Sequence, residues 1–534
     1  MVLSVSENTL VVALLDPASY PEHPESVELI ETHVSWLFLA GQRVYKVKKP
    51  VDFGFLDFTT LERRRHFCQE EVALNRRLSP DVYLGVAEIR ERDGRLTIEG
   101  PGQTVEYAVV MRRLPRERAL SVLLAPGPDR GLARGEVSED SVRRIAARIA
   151  QFHREATTSD EIARLGGYDA VAQNVRENFA QTEAYVGRTI ERGDYDELRA
   201  YSEAFLEVRQ PEFRAREREG WVRDCHGDLH TAQIFLDDGI HIIDCIEFNQ
   251  RFRYSDVAAD IAFLAMDLDH HGRQDLSAVL VSAYRQALGD AGFLAFLDFF
   301  KAYRAYVRGK VEGFRLGQPG LAEVEAKQAQ RVARGYFELA RSYLRPLPRP
   351  TLFLTAGLMG AGKTRLADNL ARRWGLEHIS SDLVRKELAG IEESEHHYEP
   401  FNQGIYSQES TLKTYQEMFR RAAALLRQGR SVALDASFSN AALRREALSV
   451  ARDAGAASRL LLCMAPEDAI HRRLDHRMER EGVASDGRWE IYARQKASFE
   501  PLTEEHIVVD TSGTLHETLY QAMEGHYIRN LREP

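Results

Sequence analysis

The eight residues Gly357–Thr364, GLMGAGKT, restrict the folds open to this chain more than any other feature. An apolar run, LFLTA, precedes them, and TRLADNLARRW follows with apolar residues at helical spacing. A buried strand, a glycine turn and an amphipathic helix in that order begin a parallel α/β sheet. The glycines let successive backbone N–H groups point inward, and the helix N-terminus adds positive dipole at the same spot. Such a nest holds an oligophosphate. In this reading Gly357, Met359, Gly360, Ala361 and Gly362 supply the loop. Lys363 reaches the outer phosphates, and the Thr364 hydroxyl joins a Mg2+ shell. The competing reading is a glycine-rich turn with a chance lysine.

At 534 residues the chain is long enough for two or three cores. Its 44% hydrophobic and 28% charged residues exclude a wholly disordered chain. The net charge of −10 divides as −7 before residue 351 and −3 after it, which argues against broad duplex binding by counterion release. A local basic groove stays compatible with these totals. The four cysteines are far apart and read as buried thiols, not as a metal set or a disulfide framework. The N-terminus lacks a basic start before its short apolar run, and no stretch has the length of a membrane span. The expected compartment is the cytoplasm, with no membrane and no obligate protein partner evident. Three prolines in LRPLPRP, residues 344–350, mark a connector. The expected domains are therefore 1–343 and 351–534. In the first, WLFLAGQRVYKVKK reads as a hairpin, RLTIEGPGQTVEYAVVMRRL as a second hairpin with a GPG turn, and LERRRHFCQEEVALNRRL as a helix between them.

Further strand ends in the second domain carry candidate chemistry. GLEHISSDLVRKEL puts Asp382 and Arg385 just after a short strand, at the cleft edge of a parallel sheet. Asp382 is a candidate base for an acceptor hydroxyl, and Arg385 a candidate holder of the acceptor's anionic group. Alternatively, Ser381 or Asp382 merely caps the helix. RSVALDASFSN ends an apolar strand at Asp435, a position from which an acid orients Mg2+ through water. Arg473, Arg477 and Arg480 share one helix face, either as a lid over phosphates or as a solvated charge run. Together these segments resemble the small P-loop kinases, above all AAA-type kinases akin to polynucleotide 5′-kinase and zeta-toxin-like enzymes, over most of residues 351–515. The resemblance implies γ-phosphate transfer to a hydroxyl with Asp382 as base. It leaves open a small molecule or a nucleic-acid 5′ end as acceptor. The insert IEESEHHYEPFNQGIYSQ matches no motif.

The first domain holds a second constellation in DCHGDLHTAQIFLDDGIHIIDCIEFN. Asp228, a polar amide five residues later at Gln233, and Asp244 after a strand pair have the spacing of a kinase catalytic loop. One carboxylate takes the hydroxyl proton, while Gln233 and Asp244 are candidate Mg2+ ligands. His226 would brace the loop. Lys46 and Lys48 lie on one strand face, so either suits the α/β-phosphates. Lys46 is preferred, with Glu71 as its partner and Glu70 as the fallback. H-G-D-L-H, I-I-D and R-Y-S-D-V-A-A-D-I-A resemble the aminoglycoside phosphotransferase and choline kinase-like family over roughly residues 30–310. That likeness implies Asp228 as catalytic base and Asp244 as the main Mg2+ ligand. It also marks two departures: Gln233 replaces an Asn, and no Gly-rich loop precedes the lysine, so Thr32–Ser35 would serve.

The expected architecture is an α+β protein-kinase-like bilobal fold followed by an α/β P-loop kinase with a parallel sheet. The whole arrangement resembles bacterial bifunctional proteins that fuse such domains. The expected activity is phosphotransfer from ATP or GTP, with Mg2+, to hydroxyl-bearing acceptors at two sites. In the rival reading the first domain is a nucleotide-sensing pseudokinase that regulates the second.

Overall fold

The computed structural model describes residues 7–54, 56–125, 137–290, 292–318, 320–392, 404–478 and 489–533. Two compact units emerge, one of residues 1–181 and 210–343, the other of residues 182–209 and 344–534.

Six antiparallel strands build the sheet of the first unit, in the spatial order Val27–Glu31, Ser35–Ala40, Arg43–Lys48, Gln103–Arg112, Tyr83–Arg92 and Arg95–Ile98. Side chains alternate along a strand, so each face receives its own set. From Arg43–Lys48, Tyr45 and Val47 enter a core with Trp36, Phe38, Ala108 and the helix Glu7–Leu14. Val44 points the other way, onto Cys68 and Val72 of the helix Leu61–Asn75. Lys46 and Lys48 share that second face, and both reach Glu71 of the same helix.

The second hairpin differs from expectation. Arg95–Ile98 and Gln103–Arg112 do not pair with each other, because Tyr83–Arg92 lies between them and pairs with both. The turn that sets this order is Asp93-Gly94, with φ of 53° and 76°. Two residues in the left-handed region make the type of turn that matches strand twist, and Asp-Gly is its usual sequence. The GPG segment is only the longer connection back.

Helices make up most of the remaining first unit. Val257–His270 lies at its centre, buried at every position from Val257 to Asp269. Asp256 caps it by accepting from Ala258 N (2.8 Å) and also pairs with Arg216. Antiparallel strands Val222–Asp224 and Tyr254–Asp256 close off the polar loop region between them.

The second unit holds a five-stranded parallel sheet in the order Glu377–Ser380, Val432–Asp435, Thr351–Ala356, Ala457–Met464, Ile507–Asp510. All six residues of Thr351–Ala356 are buried. A central parallel strand is covered on both faces, which explains its continuous apolar run.

A cut at 344–350 misses one part of this unit. Residues 182–209 belong to it because Glu197, almost fully buried, accepts from Arg373 Nε (2.8 Å), Trp374 Nε1 (2.7 Å) and Tyr527 OH (3.1 Å). Tyr201 meets Tyr527 edge-on at 5.3 Å. No local pattern announces partners 176 residues apart.

All four cysteines are free and buried. Among the described residues no helix is long and apolar enough to cross a membrane.

Glu197 gives the first prediction. Glu197→Ala leaves a half-buried guanidinium with Asp194 alone and takes the acceptor from an indole N–H and a phenol, and should cost about 2–4 kcal/mol. Urea unfolding followed by tryptophan fluorescence measures this; a loss below ~1 kcal/mol would show that the cluster is not a buried ion pair.

Candidate functional site

In the first unit the expected residues converge. Lys46 Nζ lies 2.8 Å from Glu71 Oε1 and 2.7 Å from Asp244 Oδ1. Burial disfavours the Lys46 charge, but Asp244, Glu71 and Glu247 outweigh it and raise its pKa well above the usual value. Lys48 Nζ takes the other oxygen of Glu71 at 2.7 Å and also contacts Glu247. The preference for Lys46 over Lys48 thus meets a shared partner, since each lysine holds one oxygen of Glu71. Burial pushes the Glu247 carboxyl up, whereas the two ammonium groups more than reverse the same effect at Glu71. Glu247 is the member of this cluster that sequence reasoning missed. It stands three residues after Asp244, inside a segment already singled out.

The loop around Asp228 is held at its backbone. His226 N and Gly227 N donate to Asp260 Oδ2 and Oδ1, at 2.8 and 2.9 Å. Gly227 has φ 85°, and a Cβ there would lie 2.9 Å from Phe252 O. His226 Nδ1 accepts from Asp228 N (3.3 Å), so Nε2 carries the proton that meets Ile243 O at 2.9 Å. This is the brace expected of His226. Asp228 Oδ2 faces His230 Nε2 at 3.3 Å, with its side chain about a third exposed. Burial raises its pKa, but His230, Arg308 and His226 together pull it below the usual carboxylate range. It is therefore ionised at neutral pH. Gln233 Nε2 donates to Asp244 Oδ2 (3.2 Å), and Asp244 itself sits at φ 64°, a strained value for a non-glycine residue. Tyr83 OH accepts from Asp244 N (3.1 Å) and holds that bend. At Thr32–Ser35 the Thr32 hydroxyl accepts from Val34 N and Ser35 N, so these amides are spent within the turn.

In the second unit the glycine loop sits at the carboxyl end of Thr351–Ala356. Gly357, Gly360 and Gly362 have φ of 137°, 76° and 83°. A Cβ on Gly357 would lie 2.5 Å from Cys463 O, so the neighbouring strand itself requires glycine. Met359 N donates to Gln495 Oε1 (2.7 Å), and Lys363 Nζ to Leu358 O (2.9 Å). Ala361 is buried, with its carbonyl accepting from Thr511 Oγ1 at 2.8 Å. Asp435 ends the adjacent strand and is buried. Burial raises its pKa, but His378, 3.6 Å away, the Lys363 charge and the nearby Thr364 hydroxyl lower it overall. Lys363, Thr364 and Asp435 thus meet.

Asp382 lies in the first turn of Ser381–Ala389, but Ser380 is the cap residue. Its carboxylate pairs with Arg385 Nη1 at 2.9 Å, and the Arg385 guanidinium lies 4.7 Å from the Tyr406 ring centroid. Arg473 donates to Gly360 O (3.2 Å) and Thr511 Oγ1 (3.1 Å), so it is fastened to the loop and is not a free lid group. Arg477 lies in the helix Glu467–Met478, its side chain outside the described residues; Arg480 and residues 393–403 of the insert also lie outside them. A cavity of about 600 Å³ opens beside the loop, lined by Gly360, Gly362, Arg365, Arg473, Thr511 and Ser512 among others.

Residues 352–502 match the family model described as AAA domain. Over 497 residues the chain is 33% identical to uncharacterized protein Rv2004c of Mycobacterium tuberculosis, covering 93% of this chain and 94% of that one. Uncharacterized protein Mb2027c of Mycobacterium bovis matches to the same extent. The chain belongs to their family. Among solved structures, a gluconokinase from Sinorhizobium meliloti 1021 is similar at 17% identity and a TM-score of 0.26, covering 34% of this chain and 96% of its own. The Mycobacterium tuberculosis APS kinase CysC, in complex with AMPPNP and APS, shows 18% identity and a TM-score of 0.25, covering 33% and 96%. Likenesses at that level say nothing about the substrate.

The Lys48–Glu247 pair is open to a direct check. Glu247→Ala should destabilise the first unit by about 3–5 kcal/mol, because Lys48 stays buried with half its counter-charge. Combining it with Lys48→Met should recover most of that loss in urea unfolding. Additive losses would mean that the two residues do not act as a pair.

Proposed function

We propose that the protein is a phosphotransferase with two nucleotide sites, one in each unit, each moving a γ-phosphate to an acceptor hydroxyl. The observation that carries this reading is the meeting of Lys46, Glu71, Asp244 and Gln233 beside a loop-borne ionised Asp228. In the second unit it is supported by the glycine loop and the convergence of Lys363, Thr364 and Asp435. The AAA domain match over residues 352–502 supports nucleotide chemistry there.

Both donor sets suit Mg2+. They are all oxygen: the Asp244 carboxylate with the Gln233 amide oxygen, and the Thr364 hydroxyl with the Asp435 carboxylate. Bound there, Mg2+ neutralises charge on the phosphate oxygens. The chain's own groups do the remaining work. Lys46 exchanges Asp244 for phosphate oxygens while Glu71 keeps it aimed. Asp228 receives the hydroxyl proton as the oxygen attacks. In the second unit, the loop amides and Lys363 hold the phosphates, Asp382 orients the acceptor hydroxyl, and the cavity beside Arg473 and Thr511 takes the nucleoside. Its acceptor is a small molecule or a nucleic-acid 5′ end, and the donor is ATP or GTP.

A second reading is favoured by one feature, the longer Gln233 where the resembled family has Asn. Here the first unit binds nucleotide and regulates the second. Separate variants distinguish the two. With γ-labelled ATP and pooled acceptors, Lys363→Ala should abolish one set of products. Asp228→Asn should reduce the other at least ~100-fold, as loss of a general base does. Products unchanged by Asp228→Asn would leave the first unit a sensor. Products unchanged by Lys363→Ala would remove the second site.

A further inference from the structure

The helix Leu294–Phe314 passes the loop that carries Asp228. Arg304 on this helix donates from Nη1 to Gly227 O (3.0 Å) and lies over the Phe263 ring, 4.8 Å from its centroid, which fixes the rotation of the helix. Arg308 follows one turn later on the same face. Its guanidinium lies 5.8 Å from the Tyr336 ring centroid. Its Nε is buried and has no hydrogen-bond acceptor.

Of the deep arginines of the first unit, Arg64 is met by Glu106, Arg216 by Asp256 and Asp290, and Arg253 by Asp224, whereas Arg304 donates to the backbone carbonyls of Ala259 and Gly227. Among the described residues no carboxylate stands at ion-pair distance from Arg308. Burial works against its charge, while Tyr336, Asp228 and Asp267 act to keep it charged. Asp267 is already engaged, since its Oδ2 accepts from both Thr231 N (2.9 Å) and Thr231 Oγ1 (2.5 Å). His270 stacks on Tyr336 at 4.0 Å, and His230 faces Asp228. On this side Asp228 is accompanied by His230 and Arg308, and the Asp267 carboxylate that acts on both is tied to Thr231. An amino sugar would meet a half-buried guanidinium there, which is a repulsive selection against it.

We propose that Arg308 recognises an anionic group of the acceptor, so that the first unit phosphorylates an acidic hydroxyl compound, a hydroxycarboxylate or a phosphorylated polyol. The proposal rests on the reading of Asp228 as the base. In the step, the acceptor O–H proton passes to Asp228 and the hydroxyl oxygen bonds the γ-phosphorus. The bond from that phosphorus to the β–γ bridging oxygen breaks, and ADP leaves with the electron pair. A planar guanidinium suits either anion, because its N–H fork matches both carboxylate and phosphate oxygens.

The test uses the full chain carrying Lys363→Ala, so that any transfer comes from the first site. Four matched three-carbon acceptors are compared: glycerol, the cationic 2-amino-1,3-propanediol, D-glycerate and glycerol 3-phosphate. Label transfer from γ-labelled ATP is measured beside calorimetric binding in the presence of Mg2+ and ADP. D-glycerate or glycerol 3-phosphate should bind and accept label best, and whichever does so separates carboxylate from phosphate recognition. Arg308→Gln should raise its KM and Kd about 10- to 100-fold, the loss of a charge-assisted hydrogen bond, with the KM for MgATP unchanged. Arg308→Lys, which keeps the charge and loses the fork, should fall between and serves if the Gln variant does not fold. Better turnover of glycerol or the amine than of both anions overturns the proposal. So does an equal effect of Arg308→Gln on all four, or the absence of binding by either anion. Anion binding that Arg308→Gln abolishes, with no transfer to any acceptor, supports recognition by Arg308 and removes Asp228 as a base.

Discussion

Two ammonium groups inside a protein must be met by carboxylates, because an unpaired buried charge costs several kcal/mol. Much of the first unit can be understood from that constraint. Lys46 and Lys48 point to one face of their strand, and the helix Leu61–Asn75 must present Glu71 to both. The stretch after the short hairpin must then bring Asp244 to one lysine and Glu247 to the other. Sheet, helix and the stretch around Asp244 are thereby tied through the buried Lys48, Glu71 and Glu247, the half-buried Lys46 and the more exposed Asp244. That last residue is the most exposed of the five.

The second unit solves the related problem of holding a polyanion mainly with backbone. Its parallel strands end together, so the glycine loop, Asp435 and Asp382 stand along one edge. Close packing then selects the residues. Gly357 is pressed by Cys463 O, and Gly362 by Thr511. Arg473, read from spacing as part of a mobile lid, instead secures the loop through Gly360 O and Thr511. Helix spacing reveals which residues share a face, but not what that face meets.

Local signals were legible where chemistry and geometry coincide in a short stretch. GLMGAGKT sits on a strand–loop–helix because each residue type has a steric or electrostatic task there. H-G-D-L-H and I-I-D show the same economy: His226 braces Asp228, and Gly227 turns where a side chain would collide. The hairpin order was readable too, from Asp93-Gly94, but the more conspicuous GPG drew the turn to the wrong place. Glu247 and Arg308 were not legible, since a buried glutamate or a helical arginine has no signature until its neighbours are known. Glu197 is the extreme case, held by groups whose sequence separation exceeds 170 residues.

The sequence by itself determined the glycine loop, the turn that carries Asp228, the parallel strand that precedes the glycine loop, and the alternation that puts both lysines on one side. These follow from backbone sterics and side-chain periodicity, which act over a few residues. Only the tertiary structure decided which carboxylate answers which lysine, that residues 182–209 pack with the second unit, and that a guanidinium without a carboxylate partner stands near Asp228. Those outcomes depend on desolvating charges brought together from distant parts of the chain, and that energy exists only once the core has closed around them.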